Sequence, residues 1–147
     1  MAALNVISKL CHTSIIAAVQ DVVFALMQHQ QEMIRKKAVM VLISFNKSQP
    51  IENFDMHMKR ALCDRDPSVM AASLNYYLDE VKKRPGDFKD LINSFMIILK
   101  QVTEHRLPKD YDYHRMPAPW IQTKILEIMA FLGAEDEESS NQMYETL

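Results

Sequence analysis

Apolar residues return every three or four positions along most of this chain. Ile15, Val19, Val22, Val23 and Leu26 follow the spacing i, i+4, i+7, i+8, i+11. Ile34, Ala38, Val41, Leu42 and Phe45 repeat it, and so do Ile121, Ile125, Ile128, Met129 and Leu132. One face of an α-helix recurs at that period, so each segment predicts an amphipathic helix. Phe88, Leu91, Ile92, Phe95, Leu99 and Val102 make a further stripe, with Asp87 as its expected N-cap and Asp90 three residues on. Pro85 and Gly86 separate that helix from the one before. Helices are also expected over residues 14–28 and 51–63.

Several of these helices begin alike. QEMIRKKAVMVL (residues 31–42) aligns with RDPSVMAASLNY (65–76) when Ile34 is placed on Val69, an offset of 69 − 34 = 35. MPAPWIQTKILEIM (116–129) joins when Ile121 is placed on Val69, an offset of 121 − 69 = 52. Proline opens two of the three. Asp66 is a natural N-cap before Pro67 at the first helical position, and Ala118 precedes Pro119. Helices beginning this way alternate with others, the signature of a HEAT/armadillo-like α-solenoid built from antiparallel helix pairs. A helical bundle is the alternative, but a bundle does not require proline at alternate helix starts. The whole of residues 1–147 is expected to be one such segment. AALNVISKLCH at the start reads as a helix whose partner is missing. EDEESSNQMYETL at the end reads as a polar turn leading into a new helix, with acids at 135–138 suited to its first turn. Both ends therefore suggest a piece of a longer solenoid.

Composition narrows the function classes. The chain has two glycines and eleven methionines in 147 residues, too few glycines for the turns of a β-rich or α/β domain. A net charge of −2 gives no bulk attraction to nucleic acid. Cys11 and Cys63 lie inside apolar patterns, match no metal spacing, and are expected to be buried thiols of a reduced, cytosolic protein. No apolar run is long enough to cross a bilayer, and the N-terminus lacks the pattern of a signal peptide.

Two segments carry candidate chemistry. LPKDYDYHRMPAPW (residues 107–120) places His114, Asp112 and Tyr113 close to His105, yet no nucleophile stands beside them and no glycine shapes a phosphate or oxyanion site. The spacing of His105 and His114 gives no helical metal pair. No catalytic residue, metal or cofactor is expected. The stretch reads instead as a long, proline-stiffened extended link between two helices. Tyr111, Tyr113, His114 and Trp120 are its candidate contact residues, bracing the neighbouring repeat or meeting another subunit. The second segment is Arg35, Lys36 and Lys37, with Lys59 and Arg60 near the following turn. Three cations in a helix's first turn oppose its dipole. They form either a solvated ridge paired to Glu32, Asp64 or Asp66, or an electrostatic strip for an acidic partner or anionic headgroups. Met27, Met40, Met70, Met96 and Met129 lie on or beside helical stripes and are expected to fill the core.

MIRKKAVMVL, FDMHMKRALCDRDPSVMAASLNYYL, FKDLINSFMIILKQV and RLPKDYDYHRMPAPWIQTKILEIMAFLG resemble, in order and spacing, the trunk of the large adaptin subunits of clathrin-type adaptor complexes. ALCDRDPSVMAAS and YHRMPAPW look most like the epsilon branch of that family. The resemblance covers nearly the whole chain. It implies a non-enzymatic scaffold in a heterotetrameric coat with a beta-type large subunit, a medium subunit and a small subunit. It also implies work at the cytosolic face of the trans-Golgi network under an Arf-family GTPase. The other function class compatible with these helix starts is a generic HEAT-type interaction scaffold, such as a transport receptor or regulatory subunit.

Overall fold

The computed structural model describes residues 2–7, 13–134 and 137–144. These residues are almost entirely helical. The helices are α1 (Ala2–Ile7), α2 (Thr13–Leu26), α3 (Glu32–Ser48), α4 (Phe54–Leu62), α5 (Pro67–Val81), α6 (Ile92–Thr103), α7 (Pro119–Gly133) and α8 (Glu137–Tyr144). The chain folds as two compact units, Met1–Ser73 and Leu74–Leu147, and α5 carries it from one into the other. Cys11 and Glu135 lie outside the described residues.

In the first unit α3 is the central helix, packed against α1, α2 and α4. Ala38, Val41, Leu42 and Phe45 are buried, as the stripe on α3 requires, and so are Phe54, Met58, Ala61 and Leu62 of α4, which packs against α3. The buried face of α2 differs from the expected one. Ile16 and Val23 are buried, as is Met27 just beyond the helix, whereas Val22 is 58% exposed. The sequence of α2, TSIIAAVQDVVFAL, carries apolar residues on every side, so spacing alone does not select the face that packs. α4 starts at Phe54, three residues later than expected, because Asn53 turns into the left-handed region at φ 56°.

In the second unit α6 and α7 pack together, with a 3-10 stretch (Pro85–Leu91) against both and α8 against α7. Tyr77 sits at the middle of the aromatic core, edge-on to Phe88 at 5.9 Å and to Phe95 at 5.6 Å between ring centroids. Phe88 and Leu91 are buried as expected, but they belong to the 3-10 stretch, and the α-helix begins only at Ile92. Asp87 is not an N-cap. The Arg84 guanidinium holds its carboxylate at 3.2 Å, and the Asp87 amide donates to the Arg84 carbonyl in an i to i−3 bond. Arg84 also donates to Glu80, as does Lys83, and the Lys83 bond, assisted by Arg84, holds the Glu80 carboxyl below its ordinary range.

His57 of α4 lies flat on Phe24 of α2, with ring centroids 4.2 Å apart and planes 6° from parallel. Burial, helped by the nearby Arg60 charge, pushes the imidazole pKa below its ordinary value of 6.5. The unfolded chain therefore binds a proton that the folded chain resists, so this site's contribution is complete above pH 6.5 and declines as pH falls below it. The melting temperature of the chain is expected to drop between pH 7 and pH 5.5. Replacing His57 by Gln should flatten that slope, measured by circular dichroism melts across the range. Equal slopes in both proteins would show that His57 is not the titrating group.

Candidate functional site

The stretch between α6 and α7 is a folded device rather than an extended link. His105 ends the α6 region with φ 55°, and a 3-10 turn (Lys109–Tyr111) leads into a two-stranded hairpin. Its strands, β1 (Asp112–Tyr113) and β2 (Met116–Pro117), pair antiparallel, with Asp112 opposite Pro117 and Tyr113 opposite Met116. His114 and Arg115 form the two-residue turn, both at positive φ (50° and 67°). This is the backbone of a type I′ turn, which follows the twist of the strands but ordinarily takes Asn-Gly. Each non-glycine residue held there costs on the order of 1–3 kcal/mol. Ala118, at φ 37°, is a third strained position beside the turn.

The base of the hairpin is fixed firmly enough to hold that strain. The amide of Ala118 donates to the Tyr111 carbonyl at 2.9 Å, and the Gln122 side-chain amide donates to the Pro117 carbonyl at 2.6 Å. Ala118 is fully buried, and Pro119 opens α7 at its first position as the sequence predicts. Tyr111 is half-buried with its ring 6.4 Å from that of Trp120, so these two pack within the link. Tyr113 and His114 instead project into solvent, their rings in a T arrangement at 4.3 Å. The four candidate loop residues thus divide into a ring pair at the root, where Trp120 is still 42% exposed, and a pair presented at the tip. His105 lies 4.0 Å from the Asp112 carboxylate at the exposed edge. Among the described residues no three His, Cys, Asp or Glu side chains gather to hold a metal ion.

The cationic segment is divided as well. Arg35 is only 5% exposed and is not a surface cation. Its Nε and Nη2 donate to the two Asp64 carboxylate oxygens, each at 2.9 Å, and its Nη1 donates to the carbonyls of His29 and Gln30, both at 2.9 Å. The bonds to Asp64 hold its pKa above the ordinary arginine value despite burial. Lys36 and Lys37, on the flanks of α3, are half-exposed, and Lys59 and Arg60 of α4 are exposed. Of the five candidate cations, Lys36, Lys37, Lys59 and Arg60 thus reach the surface and Arg35 does not. Cys63, expected in the core, is exposed at the end of α4, where Ala61 and Leu62 already fill the inward positions. Met40 is likewise 46% exposed on the outer face of α3, while Met27, Met70 and Met129 are buried as expected.

Replacing His114 by Asn and Arg115 by Gly gives the turn its preferred residues. The doubly substituted chain is expected to gain about 1 kcal/mol of stability, a rise of a few degrees in melting temperature. Calorimetry would show this, and a fall in melting temperature would contradict the strained-turn geometry.

The adaptin N terminal region family matches residues 1–147 of this chain. AP-4 complex subunit epsilon of Arabidopsis thaliana is 47% identical over 144 residues, 97% of this chain and 15% of that protein. AP-4 complex subunit epsilon-1 of Homo sapiens is 42% identical over 147 residues, 99% of this chain and 13% of that protein. AP-1 complex subunit gamma of Dictyostelium discoideum is more distant, 25% identical over 95% of this chain and 16% of its own length. The chain thus spans a small part of each of these relatives. The order of motifs, the helical architecture and the family match over every residue agree: this chain belongs to the adaptin N terminal region family, of the all-α, HEAT/armadillo-like class.

Proposed function

We propose that this chain is a trunk segment of a large adaptor-complex subunit of the epsilon type, acting as a non-enzymatic scaffold in vesicle-mediated protein transport. The observation that carries this reading is the similarity to AP-4 epsilon subunits across 97–99% of the chain, at 42–47% identity. The partners are a beta-type large adaptin and the medium and small adaptor subunits. An Arf-family GTPase and the anionic cytosolic face of the trans-Golgi network act on the assembled complex. The chemistry of the candidate site suits this role, because its strained and buried groups fix backbone positions and leave a few side chains for contact. No described helix is long and apolar enough to cross a membrane.

The direct test is to express the full-length protein containing this segment with the beta, medium and small subunits, and to purify it through an affinity tag. Stoichiometric recovery of all three supports the proposal. Recovery of the large subunit alone overturns it. Lys36 and Lys37 are the strip residues whose role as contacts is tested in the same complex. Replacing both by Glu should weaken capture by partner subunits or by phosphatidylserine vesicles about three- to tenfold at low salt, with an unchanged melting temperature. Equal capture of the substituted and native complexes would remove the strip as a contact.

A further inference from the structure

We infer that the tip of the β1–β2 hairpin, residues 113–116, is a preformed knob that docks a folded protein partner offering an apolar pocket edged by carboxylates. Tyr113 and Met116 face each other in register and are 61% and 53% exposed. Neither contributes to the core, although each is large enough to do so. Arg115 stands beside them at the turn and meets no carboxylate among the described residues, whereas Arg106 is engaged by Glu104 at 2.6 Å. Tyrosine, arginine and methionine are the residues that concentrate at the centres of protein interfaces.

Rigidity is the second argument. The turn holds His114 and Arg115 at positive φ, where Asn-Gly would sit without strain. The Tyr111–Ala118 and Pro117–Gln122 hydrogen bonds clamp its base. A strained turn on an anchored base persists only when its surroundings fix it, and such sites cluster where contact geometry matters. Little conformational entropy remains to be lost when a partner meets this tip. An open groove of about 330 Å³ runs beside it, lined in part by Thr103, His114, Arg115 and Gln122. A partner carboxylate entering there would reach the Arg115 guanidinium, a charge-assisted bond.

Charge patterning favours a protein over a lipid surface. The tip carries one cation, Arg115, and the segment leading to it mixes Lys109 with Asp110 and Asp112, so it offers no cationic cluster for anionic headgroups. On the proposed function, which this inference rests on, the partner is another subunit of the adaptor complex.

The test uses the full-length protein assembled with the other adaptor subunits, carrying a photoreactive benzophenone side chain in place of Tyr113. One subunit should be crosslinked, at a segment bearing Asp or Glu. The H114N/R115G variant, which keeps the hairpin, and Y113S should each weaken that subunit's binding about tenfold without lowering the melting temperature. If the complex assembles but position 113 crosslinks to nothing, or only to lipid in phosphatidylserine vesicles, the inference is overturned while the adaptor reading stands. The same holds if both variants bind at native affinity. If no complex assembles, the adaptor reading fails and takes this partner with it.

Discussion

A single guanidinium fixes two of the interhelical connections in the first unit. Arg35 rises from the first turn of α3, where its charge opposes the helix dipole and where burial removes it from water. Both costs are met by geometry. The Asp64 carboxylate takes two parallel bonds, and the remaining amine satisfies two carbonyls in the connection before α3. Asp64 passes the constraint onward by accepting the Asp66 amide at 2.8 Å. Asp66 in turn caps α5 through the Ser68 amide at 2.9 Å. The end of the α2–α3 connection, the start of α3, the α4–α5 connection and the start of α5 are thus joined by one run of hydrogen bonds. Arginine suits this position as lysine would not, because only a planar fork can serve a carboxylate and two carbonyls together.

The second unit reaches a similar end by different means. Its connection between α6 and α7 is long, and it is ordered by a hairpin whose base is bonded and whose tip is strained. Tyr111 and Trp120 pack at its root, which leaves Tyr113, His114 and Arg115 outward. Both units use polar groups to hold their connections in place. Exposed loops lose little stability when their residues change, so the residues that such loops present are available to set partner choice.

Periodicity and capping made the helices legible. Apolar spacing located α3 and α7 with their buried faces, and Asp66 before Pro67 marked the start of α5, because those signals act within one or two turns. Long-range pairing was less accessible. Nothing near Arg35 separates it from Lys36 and Lys37, and the partner that buries it lies 29 residues away. Asp64 was one of three acids that could have paired with that cluster. The inward face of α2 was ambiguous because the helix is apolar all round. The hairpin was hidden for a different reason: its strands are two residues each, and His-Arg carries no turn signal. Asp87 satisfied the local rule for a cap but was taken by Arg84. Proximity in sequence did not show that competition.

The Arg35–Asp64 pair is the bridge on which both connections depend, and a double-mutant cycle tests it. Arg35→Met, Asp64→Leu and the double substitution would be compared with the native chain by urea denaturation. Each single change leaves a buried charge or carbonyl unmet and should cost about 3–5 kcal/mol. The double change should cost no more than either alone, a coupling of at least about 3 kcal/mol. Single losses that simply add, with coupling below about 0.5 kcal/mol, would show that the two connections are not held through this bridge.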